Sequence, residues 1–122
     1  MDMKIELLAV PVADIDRAKE FYVKAGFTAD HDTTVSPEIR FVQLTPPASA
    51  CSIVLDLNFS AMQPGTQQGI QCVVANADEA LSFLRERGIE TSEVDEQPWG
   101  RFVYFSDPDG NKWALQQLPT WS

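Results

Sequence analysis

The sequence predicts an α+β domain built from two tandem βαβββ modules. Six residues of segment 12–27 recur at matched places in segment 74–89, and four residues of segment 40–47 recur in segment 101–108. In each copy, one stretch with helical periodicity is flanked by stretches of alternating or continuous apolar residues, as expected for strands. A supersecondary unit of about sixty residues therefore occurs twice.

The repeat is strongest around the two predicted helices. The offset is 62 positions there and 61 positions in the later strands, so the order of the elements is kept. The matching residues are Val12/Val74, Ala13/Ala75, Asp16/Asp78, Ala18/Ala80, Phe21/Phe83, Gly26/Gly88, Arg40/Arg101, Phe41/Phe102, Val42/Val103 and Pro47/Pro108.

Capping residues set the predicted limits of both helices. Asp14 and Asn76 are placed to accept N–H groups of the first turn, and Gly26 and Gly88 to end the helices. The predicted strands are 4–12, 27–33, 38–45, 51–58, 69–75, 89–95, 101–106 and 112–118. A linker at 59–68 joins modules at about 1–58 and 69–122, and the whole of 1–122 is predicted to be one domain. Its open curved mixed sheet surrounds a cleft, because two apolar sheet faces must be buried or must bind something.

Charge and hydropathy exclude several classes of function. The chain has 18 acidic and 9 basic residues and a net charge of −9, which argues against nucleic acid as a partner and favours cationic ligands. No apolar run approaches the roughly 18–20 residues that span a bilayer. The first residues do not form a signal peptide. We expect a cytoplasmic protein without a membrane partner.

The histidine and the two cysteines do not indicate a catalytic or metal site. Cys51 and Cys72 lie in apolar segments without a CxxC spacing, and reduced thiols are expected. His31 is the single histidine and lies in a polar stretch, so we expect it to be solvated. Asp107 and Asp109 fit a turn better than a catalytic carboxylate pair, because Asp is favoured in turns.

Three stretches carry a resemblance to a known family. They are "VPVADIDRAKEFYVKAGF", "CVVANADEALSFLRERGIE" and "FSDPDGNKWALQQ". They resemble the glyoxalase/bleomycin-resistance/dioxygenase superfamily, also called vicinal oxygen chelate proteins. "QPWGRFVYFSDPDGN" further resembles the matching segment of bleomycin-resistance proteins. The resemblance implies paired βαβββ modules around a cup-like sheet, and a homodimer.

The resemblance also identifies the positions where metal-dependent members carry His or Glu. In this sequence they are Leu7, Gly69, Ala114 and either Ile53 or Val54. None of these side chains can bind a divalent ion, whose ligands are imidazole, carboxylate or thiolate groups. We therefore predict no metal and no other cofactor.

Alternation along the predicted strands indicates which residues form a candidate ligand-binding face. Its residues are Leu7, Val54, Gln71, Trp99, Phe102, Tyr104, Ala114 and Gln116. Most are apolar or aromatic, with two amides as polar points, the usual composition of a ligand pocket. Trp99 lies between Pro98 and Gly100, so we expect it in a loop at the rim. Phe102 fits a core or dimer interface as well as a ligand site.

These features predict a metal-free binding protein that sequesters a small aromatic or cationic compound. The alternative is a divalent-metal-dependent enzyme of the glyoxalase, lyase or dioxygenase type. A regulatory protein with a vestigial cleft is a third possibility. Fold alone does not choose among them.

Overall fold

The computed structural model describes residues 1–57 and 60–119. Within this part of the chain, two helices and eight strands follow one another as βαβββ, twice. The elements are β1 (Leu7–Pro11), α1 (Ile15–Lys24), β2 (Thr28–Ser36), β3 (Ile39–Thr45), β4 (Ser52–Asp56), β5 (Ile70–Val73), α2 (Ala77–Glu86), β6 (Asp95–Gln97), β7 (Gly100–Ser106) and β8 (Lys112–Gln117). The predicted α+β fold with two βαβββ modules is thus confirmed. The predicted module end at residue 58, linker start at 59 and chain end at 120–122 lie outside the described residues.

The two modules have the same sheet topology. The first sheet has the strand order β1-β4-β3-β2 and the second has the order β5-β8-β7-β6. In each, the first strand of the module is parallel to the last, and the remaining neighbours are antiparallel. The predicted curved sheet therefore consists of two four-stranded hydrogen-bonded sheets.

Both helices begin at the predicted caps. The Asp14 carboxylate accepts the N–H of Arg17, and the Asn76 side-chain oxygen accepts the N–H of Glu79. Each bond satisfies one donor that the first helical turn leaves unpaired. Gly26 follows α1 with a φ of 102°, a conformation that glycine adopts without steric cost.

The helix-facing sides of both sheets meet in one core. Val10 and Leu55 enter it from the first sheet, and Phe105 and Trp113 from the second. Tyr22 of α1 packs against Trp113, with ring centroids 5.7 Å apart. The side of each sheet away from this core, here called the outer face, carries the alternate residues of every strand.

The turn after β7 ties the second module to the first. Asp107 Oδ1 accepts the N–H groups of Asp109 and Asn111, which closes the turn on itself. Asn111 Nδ2 then donates to the carbonyl of Pro11 in the first module, at 2.8 Å. The Asp107 carboxylate therefore serves the turn, as the sequence predicts, whereas the Asp109 carboxylate accepts the N–H of Ala13 and pairs with Arg17 in the first module.

The predicted strand 89–95 is wrong in its extent. The structure has only Asp95–Gln97 as β6. The reason lies at Ser92, whose side-chain oxygen accepts the N–H of Tyr104 at 3.0 Å, while the N–H of Ser92 donates to the Tyr104 carbonyl. A side chain thus replaces the backbone acceptor, and the regular ladder begins only at Asp95.

Neither helix of the described chain has the length and apolarity needed to cross a membrane.

Candidate ligand-binding site

Five of the eight predicted site residues share the outer face of the second sheet. The strand register places Gln71 beside Ala114, and Tyr104 on the other side of Ala114. Gln116 lies beside Phe102 in the same way. The alternation predicted from the sequence is therefore present, and it forms a continuous surface across β5, β8 and β7.

Two amides on this face form a short hydrogen-bonded chain. Gln71 Nε2 donates to Gln116 Oε1 at 2.7 Å, and Gln116 Nε2 donates to the carbonyl of Trp99 at 2.9 Å. The second bond fixes the turn between β6 and β7 to the middle of the sheet. The Gln116 side chain is therefore held in one position, as a residue that orients a ligand must be.

Two aromatic rings lie beside the amides. Phe102 and Tyr104 are stacked, with centroids 5.9 Å apart and an interplanar angle of 11°. Phe102 is buried, while 39% of Tyr104 is exposed, so one ring offers a free surface. Trp99 stands in the β6–β7 turn and is 58% exposed, as expected for a loop aromatic.

The hydroxyl of Tyr104 has a fixed partner. It donates to Asp95 Oδ2 at 2.7 Å. This hydrogen bond, with partial burial and the charge of Asp95, raises the pKa of Tyr104 above its usual range. The phenol therefore stays protonated at neutral pH and remains a donor rather than a nucleophile.

A groove of about 670 Å³ runs along this face. Its size lies in the range of ordinary ligand sites. Three predicted residues line it: Gln71, Tyr104 and Ala114. Its other lining residues are Gln68, Gly69, Ile70, Glu90, Thr91, Ser92, Phe105, Ser106, Lys112 and Trp113.

The remaining two predicted residues belong to the first module. Leu7 and Val54 lie on the outer face of the first sheet, where Val54 is beside Ala9. Neither lines the groove of the second sheet. A cleft that includes Leu7 and Val54 together with Gln71 stays a prediction.

The family's metal positions do not fit a metal in this chain. Leu7, Gly69 and Ala114 carry no donor atom, and neither Ile53 nor Val54 supplies one. Within residues 1–57 and 60–119, no three His, Cys, Asp or Glu side chains are grouped as metal ligands. No reaction step through a metal can be assigned to these residues.

Sequence reasoning missed two functional features. The Ser92 hydroxyl accepts the backbone N–H of Tyr104, and Asp95 accepts its phenol hydroxyl. From sequence, segment 89–95 is nevertheless predicted to be an ordinary strand. The hydroxyl of Ser92, which can replace a backbone hydrogen-bonding partner, is the sequence signal of the irregularity. Arg101 pairs with protein carboxylates, Asp78 at 2.9 Å and Glu96 at 2.8 Å.

Solved structures share the whole fold. TnmS3, described as an antibiotic binding protein from Streptomyces sp. CB03234, is 35% identical, with a TM-score of 0.87 over 97% of this chain and 98% of its own. A glyoxalase/bleomycin resistance protein from the same organism is 36% identical, with a TM-score of 0.81 over 93% of this chain and all of its own. The uncharacterized protein YetH of Bacillus subtilis (strain 168) is 29% identical over 96% of this chain and all of its own.

A family model matches nearly the full length. The model describes the Glyoxalase/Bleomycin resistance protein/Dioxygenase superfamily and matches residues 4–115. This range includes the first βαβββ module, the turn between β7 and β8, and the second module as far as Leu115 within β8. The chain therefore belongs to the Glyoxalase/Bleomycin resistance protein/Dioxygenase superfamily.

Proposed function

We propose that the protein sequesters a small aromatic or cationic compound on the outer face of its second sheet, without a metal. The observation that carries this proposal is the surface formed by the exposed ring of Tyr104, the paired amides of Gln71 and Gln116, and the small side chain of Ala114. An apolar surface with a few oriented polar groups is the usual composition of a small-molecule site.

The chemistry of this face favours flat ligands. The exposed side of Tyr104 can stack on an aromatic ring, and stacked rings contribute about 0.5–1.5 kcal/mol beyond their buried area. Ala114 lies beside Tyr104 in the adjacent strand and leaves room for such a ring. Gln71 lines the groove and supplies an amide group there, which suits a carbonyl or hydroxyl substituent, and Gln116 holds that amide in place.

Charge favours a cation over an anion. Glu90 lines the groove, and Asp95 accepts the hydrogen bond of the Tyr104 hydroxyl. The whole chain carries a net charge of −9, which raises the local concentration of cationic ligands. Lys112, also in the lining, is the one basic residue there.

The comparisons support binding as the class of function. TnmS3, at 35% identity over almost the whole chain, is described as an antibiotic binding protein. A metal-dependent enzyme of the same superfamily would need donors at positions where this chain has leucine, glycine and alanine. Sequestration requires no such donors, so the side chains present are sufficient for it.

We also propose a homodimer that functions in the cytoplasm. Leu7 on the first sheet is 36% exposed, and Val73 at the end of β5 is 65% exposed. Apolar residues at the edges of both outer faces favour contact with a second copy. Such a contact would bring the first-module face, with Leu7 and Val54, over the groove of a partner.

Binding can be tested with proflavine, a flat aromatic cation, by tryptophan quenching and calorimetry. We expect saturable binding at one site per chain. Tyr104→Ala is expected to weaken it about tenfold, because one stacking surface and its burial are lost. Val35→Ala, an exposed apolar residue on β2 of the other module, is the matched control and should change nothing.

An anionic ring compound, 2-naphthalenesulfonate, separates the two ligand classes. Weaker binding than proflavine supports the role of the acidic groups. Equal loss of proflavine binding in Tyr104→Ala and Val35→Ala, or no saturable binding of either compound, would refute the proposed site.

A further inference from the structure

A second recess lies between the modules, on the helix side of β5. Its volume is about 390 Å³. Cys72 lines it, whereas the adjacent Gln71 lines the groove on the outer face. Neighbouring residues of a strand point to opposite sides of a sheet, and the two spaces share only Phe105 and Trp113 among their lining residues. The other lining residues are Ala25, Phe27, Pro46, Pro47, Val73, Val74, Ala75, Asn76, Glu79, Ala80, Phe83, Leu84, Phe105, Trp113 and Leu115.

Aromatic rings form one wall of this recess. Phe105 and Trp113 are stacked, with centroids 5.9 Å apart and planes at 9°. The ring of Phe27 meets Trp113 edge-on at 5.3 Å. Both geometries are the preferred ones for aromatic pairs. The wall is therefore fixed by contacts that exist without a ligand.

Phe83 forms one side of the opening and is held there. A Cβ on Gly26 would come within 2.9 Å of the Phe83 ring, so the ring lies directly against the glycine backbone. On its other side, the guanidinium of Arg87 lies 4.3 Å from the ring centroid, within the range of a cation–π contact. Phe83 is nevertheless 39% exposed, and its free surface faces water unless something covers it.

The recess carries almost no charge. Among its lining residues only Glu79 and Cys72 are ionisable. Glu79 is exposed in the first turn of α2. Burial raises the pKa of the Cys72 thiol, which therefore stays neutral at pH 7 and is a poor nucleophile. The interior thus suits an uncharged ligand and does not favour covalent capture.

We propose that this recess is a second binding site, for an uncharged small molecule that contains aromatic rings. The recess is open to solvent on one side, has the volume of a ligand site and has a preformed aromatic wall. Only Phe105 and Trp113 line both this site and the outer groove, whereas Ala80 lines this site alone and Ala114 lines the groove alone. Residues of both modules line this site: Phe27 and Pro47 belong to the first module and Leu115 to the second.

Protection of Cys72 tests the proposal directly, with indole as the probe. In Cys51→Ser, Cys72 is the single thiol, and its reaction with the neutral reagent 4,4′-dithiodipyridine can be followed by absorbance. Saturating indole is expected to slow this reaction about fivefold, because the thiol lies in the occupied space. In Cys72→Ser the remaining Cys51 is the matched control, and its rate should not change.

Two space-filling variants identify which space indole occupies. Ala80→Phe fills the recess, whereas Ala114→Phe fills the outer groove. We expect Ala80→Phe to weaken indole binding about tenfold and Ala114→Phe to leave it unchanged. Proflavine should show the opposite pattern, so failure of one site leaves the other proposal standing.

The unmodified protein provides the measurement that does not depend on these variants folding. In a ¹⁵N-labelled sample, indole is expected to shift the amide resonances of Cys72, Ala80 and Leu84. Shifts confined to Tyr104 and its strand neighbours, no saturable shifts at all, or no protection of Cys72 would overturn the proposal.

Discussion

The phenol of Tyr22 in α1 donates a 2.6 Å hydrogen bond to Asp107 Oδ2, 85 residues later in the chain. The same oxygen of Asp107 accepts from Asn111 Nδ2 at 2.7 Å, and the hydroxyl of Tyr22 accepts from Trp113 Nε1 at 3.0 Å. Tyr22, Asn111 and Trp113 are all fully or nearly fully buried. One polar network therefore joins the first helix to the turn that precedes β8.

Removing the hydroxyl should destabilise the fold more than the loss of one hydrogen bond suggests. In Tyr22→Phe, the indole N–H of Trp113 loses its acceptor and the Asp107 carboxylate loses a donor. Leaving buried polar groups unpaired costs about 1–3 kcal/mol of unfolding free energy, with larger costs for charged groups. Urea unfolding followed by circular dichroism measures this.

Tyr104→Phe is the control for that substitution. It removes a tyrosine hydroxyl that also donates to an aspartate, but Tyr104 is partly exposed and water can take the place of its hydroxyl. A loss of less than about 0.5 kcal/mol is expected there. Equal losses in the two variants would show that the buried network contributes nothing beyond an ordinary surface bond.

The same network is expected to lower the free energy of unfolding at high pH. Burial, followed by the negative charge of Asp107 and the hydrogen bond to it, raises the pKa of Tyr22 well above the ordinary value of 10.0. The folded state thus holds the phenolic proton more tightly than the unfolded state does. The resulting stability is complete below pH 10 and is lost as the pH rises above it, at up to about 1.4 kcal/mol per pH unit.

Unfolding curves at pH 8 to 11 test this dependence. The wild-type protein is expected to lose stability more steeply above pH 10 than Tyr22→Phe, which lacks the group. The pKa of Tyr104 is raised as well, so Tyr22→Phe should retain a smaller slope, which the double variant Tyr22→Phe/Tyr104→Phe should remove. Parallel slopes in the wild type and Tyr22→Phe would contradict the assignment.

A close backbone contact at Gly65 predicts a second sensitive position. A Cβ there would lie 2.1 Å from the carbonyl oxygen of Asp109, and the φ of Gly65 is +82°. Its N–H also donates to the Pro11 carbonyl, so the segment cannot move away freely. We expect Gly65→Ala to cost about 2–4 kcal/mol of unfolding free energy, from steric overlap added to backbone strain.

Two other glycines separate the cost of steric overlap from the cost of backbone strain. At Gly110 the φ is +94° but a Cβ would meet nothing within 4 Å, so Gly110→Ala should show the conformational cost alone, about 1–2 kcal/mol. At Gly69 the space is also open and no positive φ is present, and a change below about 0.5 kcal/mol is expected. Thermal unfolding of the three variants gives the order, and a Gly65→Ala loss no larger than that of Gly110→Ala would contradict the proposed overlap.

Local rules predict most of this fold and about half of the candidate site. Asp14 and Asn76 cap the helices as expected because a capping bond involves only neighbouring residues. Alternation places Gln71, Tyr104 and Ala114 on one face for the same reason. The network around Tyr22 could not be predicted, because its partners are distant in sequence and tyrosine at a helical apolar position is usual in a core. The shortened β6 depends on one side-chain bond from Ser92, which strand periodicity does not encode.

Metal content and subunit number provide the last prediction. Native mass spectrometry of protein purified without chelator or affinity nickel is expected to show a dimer without stoichiometric divalent metal, because the side chains of Leu7, Gly69 and Ala114 supply no donors suited to one. Ala114→Glu, which restores a carboxylate at one family position, is the matched variant and is expected to remain metal-free, since a single carboxylate is a poor site. Stoichiometric metal in the wild type would contradict the assignment of Leu7, Gly69 and Ala114 as the corresponding positions and would favour the metal-dependent enzyme.

A monomer at micromolar concentration would contradict the proposed contact between the outer faces of two copies, while the groove lined by Tyr104 and Gln71 within one chain would remain available to a ligand.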